Sequence, residues 1–245
     1  ANDFDSSKTV LANNTGAGSQ ASTTITLGNV TATGLGSAAN KNDGSNSNVG
    51  VAALSISNDE LTKGTGNTAV TVTGNLNVNG VGAFAKGDKA VIKILGTNST
   101  INTGENGGLV AQKGGKVEFG GGTITHKIAD KVAFYSDAKA GATVSTIDFK
   151  GGTTFEMYKG IAFYGSKSDF DGTTGRYLGM NNVTVNLRDN GINLGYFQYS
   201  SSESDADRTI NWTGTNISTY LNSLKSRVGN ATINDNGFWF KSSLD

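Results

Sequence analysis

The 245 residues carry 20 Lys and Arg against 20 Asp and Glu, with one His, 35 Gly, no Pro and no Cys. Balanced charge without a basic run removes the electrostatic footprint expected for a nucleic-acid or anionic-membrane partner. The absence of cysteine removes disulfides, thiolate metal sites and cysteine nucleophiles together.

The excess of Gly, Asn, Thr and Ser predicts an all-β chain. Gly and Asn tolerate the backbone of tight turns, whereas Thr and Val suit pleated surfaces. No apolar run approaches the roughly 18 residues of a membrane-spanning helix. The opening Ala1-Asn2-Asp3 shows no charged-then-apolar signal segment and reads as the start of a mature product or of a fragment.

In chain order, Thr23 to Leu27 and Ala69 to Val78 alternate apolar and polar residues with short inward side chains and read as coils with a thinner core. Residues 12 to 22 and 34 to 49 are poor in large apolar groups and read as loops, a cap or poorly ordered ends. The first 67 residues are therefore expected to form N-terminal coils or a cap with a thin core, and residues 68 to 245 a region of regular coils.

A repeat marks that second region. Gly107-Gly108-Leu109-Val110, Gly160-Ile161-Ala162-Phe163, Gly191-Ile192-Asn193-Leu194 and Gly237-Phe238-Trp239-Phe240 each place a glycine three residues before a large apolar one. With Phe84 and Phe134 added, the anchors Phe84, Val110, Phe134, Phe163 and Leu194 are separated by 26, 24, 29 and 31 residues. Three short strands plus turns fill such an interval, so the period predicts a right-handed parallel β-helix with these anchors in one inner column.

A second ladder agrees with the first. Val117-Glu118-Phe119-Gly120-Gly121-Gly122-Thr123 and Ile147-Asp148-Phe149-Lys150-Gly151-Gly152-Thr153 match almost position for position. Alternation puts Val117 and Phe119 inward and Glu118 outward. A third strand is expected at Thr123 to Thr125, at Thr153 to Phe155 and at Val183 to Leu187. Near the C-terminus, Ile217, Tyr220, Leu221, Leu224 and Val228 follow helical spacing and predict one short amphipathic helix inserted over 215–229.

Candidate chemistry is sparse. His126 is the single histidine and is expected at a strand end or on the surface, so neither a Ser-His-Asp triad nor a zinc site assembles around it. Glu118 and Asp148 occupy equivalent positions and would stand about 5 Å apart on neighbouring coils, with Lys93 as the equivalent one coil earlier. Asp169-Phe170-Asp171-Gly172 opens like a calcium loop but lacks the terminal acidic ligand, and Glu203, Asp205 and Asp207 form an acidic turn. The triple glycine at 120–122 precedes no lysine-plus-hydroxyl pair and reads as a turn. No catalytic residues, metal or cofactor are expected.

The Gly-x-x-Phe anchors, the Val/Ile-Glu/Asp-Phe-x-Gly-Gly-Thr repeat and the Asn/Gly/Thr richness without Cys or Pro resemble the passenger regions of bacterial autotransporters of the type V secretion class, over roughly residues 68 to 245. The resemblance implies a β-helix on the outer surface of a Gram-negative bacterium, acting as an adhesin toward a host or bacterial surface protein or glycan. It also implies a longer parent anchored by an outer-membrane barrel, because Phe240 to Asp245 shows no ten-residue amphipathic strand. Longer turns on a rigid scaffold are where recognition usually sits. The turn insertions at 165 to 179 and 199 to 209 are therefore the expected contact regions, with Asp169, Phe170, Asp171, Arg176, Tyr177, Tyr199, Glu203, Asp205 and Asp207 as candidate binding residues. A carbohydrate-active β-helix enzyme built on Glu118 and Asp148 is the alternative reading, and an inert stalk a third. The alternative fold is a β-sandwich.

Overall fold

The computed structural model describes residues 8–16, 21–33, 49–57, 62–104, 106–128, 132–136, 145–158, 161–165, 177–179, 183–187, 193–197 and 232–234. These residues form strands and connections, with no helix among them; the helix predicted over 215–229 lies outside the described residues. The strands fall into three sheets. Sheet A stacks β1 (Lys8–Asn13), β4 (Val49–Leu54), β7 (Val81–Lys86), β10 (Leu109–Gln112), β13 (Val132–Ser136), β16 (Ile161–Gly165) and β19 (Asn193–Phe197). Sheet B stacks β2 (Thr23–Leu27), β5 (Thr68–Val72), β8 (Ala90–Ile94), β11 (Lys116–Phe119), β14 (Thr146–Phe149) and β17 (Tyr177–Gly179). Sheet C stacks β3 (Val30–Ala32), β6 (Leu76–Asn79), β9 (Ser99–Asn102), β12 (Gly122–His126), β15 (Thr153–Met157), β18 (Val183–Leu187) and β20 (Thr232–Asn234).

From β1 to β19 the chain thus visits A, B and C in turn, and each triplet of strands lies on the one before it. Every pairing between these strands is parallel. A β-sandwich would require antiparallel neighbours.

Apolar residues at every second position point into the space between the sheets. In sheet B, Val70, Ile92, Val117 and Ile147 are aligned rung on rung and buried, as are Val72, Ile94, Phe119 and Phe149. The match between Val117-Glu118-Phe119 and Ile147-Asp148-Phe149 seen in the sequence is therefore the register itself. Phe134 joins all three sheets, with its ring 5.3 Å from Phe149 of β14 and 4.8 Å from Phe155 of β15.

The anchor column needs correction. Phe84, Val110, Phe134, Phe163 and Leu194 all belong to sheet A, but they do not lie over one another. Phe84 is level with Val110, Tyr135, Tyr164 and Tyr196, whereas Leu109, Phe134, Phe163 and Gly195 form the neighbouring row. Leu194 falls one position before Gly195 and so lies in neither row. A one-residue slip exchanges the two faces of a strand, and here hydrophobicity does not reveal the slip because sheet A is apolar on both sides. Val51, Ala53, Ala83, Leu109 and Phe134 join the main core, while Val49, Ala52, Leu54, Val81, Phe84 and Val110 form a second buried cluster, with Tyr135 packed against it. Near-continuous apolar runs such as Val49 to Leu54 are what doubly buried parallel strands require.

One further expectation changes. Part of the stretch predicted as a loop at 12 to 22 belongs to β1, where Ala12 is buried. The run Ala69 to Val78 supplies parts of β5 and β6 and turns at Thr73 and Gly74 from sheet B into sheet C. Stacking explains the glycines at these corners: a Cβ on Gly120 would lie 2.6 Å from the carbonyl oxygen of Ile94. Asparagines tie successive corners together, with Asn75 N–H donating to Asn29 Oδ1 at 2.8 Å and Asn98 N–H donating to Asn75 Oδ1 at 3.0 Å.

Replacing Phe134 by Ala is expected to lower stability by about 3–5 kcal/mol, and replacing Gly120 by Ala by about 1–3 kcal/mol. Urea unfolding followed by circular dichroism checks both, with exposed Thr123→Ala expected within about 0.5 kcal/mol of the parent.

Candidate functional site

The outward positions of sheets B and C carry different chemistry. In sheet B, Thr26, Thr71, Lys93, Glu118 and Asp148 are consecutive rungs. Lys93 is the equivalent of Glu118 one triplet earlier, as the sequence spacing indicated. Adjacent rungs stand about 4.8 Å apart, so Glu118 and Asp148 are neighbours. Asp148 also pairs with the ammonium of Lys150. The row thus runs Lys93, Glu118, Asp148, with the two half-buried carboxylates adjacent and Asp148 paired with Lys150.

Sheet C presents hydroxyls and amides in two parallel ranks. Thr31, Asn77, Thr100, Thr123, Thr154 and Thr184 align rung by rung, and β20 continues the register at Thr232. Two residues along each strand, Asn79, Asn102, Thr125, Glu156 and Asn186 form the second rank. Within it, Asn102 Nδ2 donates to Asn79 Oδ1 at 2.8 Å, Asn79 Nδ2 donates to the carbonyl oxygen of Thr33 at 3.0 Å, and Asn186 Nδ2 donates to Glu156 Oε1 at 2.9 Å. Between the ranks, Val78, Ile101, Ile124 and Phe155 point inward and are buried. The sequence carries this pattern as Thr/Asn-x-Thr/Asn/Glu tripeptides around an apolar residue, a signal that the glycine-anchored period did not use.

Where these strands end, the second rank borders a cavity of about 460 Å³ lined by Asn79, Asn102, Thr103, Thr125, Lys127 and Ile128, with Gly80 and Gly104 in its wall. Small-molecule sites commonly span roughly 300–1,000 Å³. The Lys127 ammonium lies 4.8 Å from the centroid of the Tyr158 ring, which is partly exposed beside it.

His126 ends β12, but it is not a surface side chain. It is fully buried, and its Nδ1 lies 2.5 Å from the Thr103 hydroxyl. The alternation that turns Ile124 inward continues to His126, and the hydroxyl supplies the hydrogen bond that a buried imidazole needs. The corner glycines at 120–122 serve as a turn, with φ of +140° at Gly121 and +136° at Gly122.

Of the candidate binding residues, Tyr177 begins β17 and is level with Thr146, so residues 177–179 form a rung of sheet B. Asp169, Phe170, Asp171, Arg176, Tyr199, Glu203, Asp205 and Asp207 lie outside the described residues. Among the described residues, no group of three or more His, Cys, Asp or Glu side chains is placed to hold a metal ion.

Thr103→Val removes the hydroxyl that meets His126 and is expected to cost about 1–3 kcal/mol, recovered in Thr103→Ser. Asp148→Asn, at a half-exposed ion pair, is expected to change stability by less than about 1 kcal/mol. Thermal and urea unfolding of the three variants measure the contrast. Compared with known proteins, the chain matches no family model, no curated protein and no solved structure.

Proposed function

We propose that this chain is part of a right-handed parallel β-helix whose work is adhesion at a bacterial surface, in the manner of an autotransporter passenger. The observation that carries the reading is the in-register succession of A, B and C strands, which sets Thr31, Asn77, Thr100, Thr123, Thr154 and Thr184 at fixed intervals along sheet C. The right hand follows from the strong chiral preference of parallel crossover connections. A surface of this kind multiplies weak contacts along one direction, which suits attachment to a repetitive target better than turnover of a small substrate. The Glu118 and Asp148 pair, the starting point of the carbohydrate-active alternative, follows Lys93 in the same row, and Asp148 is held in an ion pair with Lys150. The turn between β16 and β17 remains the favoured place for side-chain contact with a surface protein or glycan.

Beads coated with the purified chain are expected to attach to epithelial or Gram-negative bacterial cells at least about tenfold more than albumin-coated beads, a contrast of about 1.4 kcal/mol in attachment. Deletion of residues 166–176, which leaves β16 and β17 in place, is expected to reduce attachment. Attachment no greater than that of albumin overturns the adhesion reading. Release of reducing or unsaturated sugar from polysaccharides by the chain supports the enzymatic one instead.

A further inference from the structure

We infer that the outer face of sheet C is a binding surface for an extended, uncharged polysaccharide running along the stack, with one sugar ring seated in the cavity beside Asn102 and Thr125. The inference rests on the adhesion reading and names its ligand class. Three observations support it.

The first is periodicity. Each triplet contributes one residue to the threonine rank and one to the asparagine rank. A lattice of hydroxyls and amides results, about 4.8 Å apart along the stack and about 6.7 Å apart along each strand. The rise per sugar of an extended β-linked glycan is close to the first spacing, so a chain laid along the stack meets an equivalent pair of side chains at every ring. Amides and hydroxyls both donate and accept, as vicinal sugar hydroxyls require, and the threonine methyls offer apolar contact to the C–H faces of the rings.

The second is charge. Across the two ranks Glu156 is the one ionised side chain among the described residues, and Asn186 donates to it. Sheet B, built from the same kind of strands, carries Lys93, Glu118 and Asp148 outward. Lys127 borders the cavity, but the ranks themselves hold no cation to pair with sulfates or uronates, and a neutral polymer laid along them covers a single ionised group, Glu156.

The third is the concavity. The second rank is not flat throughout, because Asn79, Asn102 and Thr125 line the cavity of about 460 Å³. Asn102 donates its Nδ2 to Asn79 Oδ1 at the edge of this cavity. Tyr158, partly exposed beyond Lys127, adds an aromatic surface of the type on which sugar rings stack.

Isothermal titration of the whole chain with cellobiose, cellotetraose and cellohexaose, and with the matching chitin oligomers, tests the inference. Heparin and polygalacturonate serve as anionic comparisons. The expected result is binding of a neutral oligomer that tightens with its length and is insensitive to salt. The double variant Thr100→Val, Thr123→Val keeps side-chain shape on two exposed rungs and is expected to weaken that binding at least about tenfold, the equivalent of one or two hydrogen bonds. Its unfolding midpoint should not change. Thr100→Ser with Thr123→Ser retains the hydroxyls and should retain the binding, which keeps the test valid if the valine variant folds poorly. Failure to bind any neutral oligomer, binding independent of length, full binding by a folded valine variant, or preference for the anionic polymers each overturns the inference. Cell attachment that persists alongside any of these outcomes overturns the ligand class alone and leaves the adhesion reading standing.

Discussion

The structure depends on parallel pairing of each strand with its counterpart one triplet away. A single triplet cannot hide its own inward side chains, because it has no second layer of its own; the triplets above and below supply the cover. Phe119 is buried because Ile94 and Phe149 lie level with it on either side, and Ile124 because Ile101 and Phe155 do. Hydrogen bonding and hydrophobic burial are thus satisfied by the same neighbour. A strand paired on both edges uses its backbone N–H groups in the ladders, which agrees with a chain of 245 residues containing no proline. The corners obey the same constraint, since strands stacked this closely leave no room for a Cβ at Gly120.

Much of this arrangement was legible in the sequence, and the parts that were not share a physical cause. The Val117-Glu118-Phe119 and Ile147-Asp148-Phe149 pair could be aligned by eye because one face is apolar and the other charged, so only one register satisfies both. In sheet A that contrast is lost. Phe84 and Phe134 look equivalent in the sequence, yet one belongs to the outer cluster and the other to the central core. Counting residues between anchors does not detect the slip, since turn lengths vary from one triplet to the next. β4 escaped notice for a related reason: Val49-Gly50-Val51-Ala52-Ala53-Leu54 has no alternation to betray a strand and follows a long polar stretch.

The site was less legible than the fold. A search for chemistry in sequence looks for acids, histidines and loops, and it led here to His126 and to the segments around 169 and 203. His126 turned out to be a buried strand end held by Thr103. The ranks on sheet C consist of the commonest surface residues of a β protein, and no single Thr or Asn among them is unusual. Their significance lies in alignment between strands 23 or more residues apart, which becomes visible only once the register is known.

Sheet A has a consequence for how the molecule can be approached. At β4 and β7 both of its faces are withdrawn from solvent, so around the central triplets a visitor has two open flanks to choose from, not three. One of these carries Lys93, Glu118 and Asp148 and the other mainly Thr and Asn with Glu156, and dissolved salt distinguishes them: ionic contacts made on sheet B weaken as the Debye length shortens, whereas hydrogen bonds to the hydroxyls and amides of sheet C weaken far less. The molecule is in effect a ruler with one blank edge and two differently inked ones, and ionic strength tells which edge is being read.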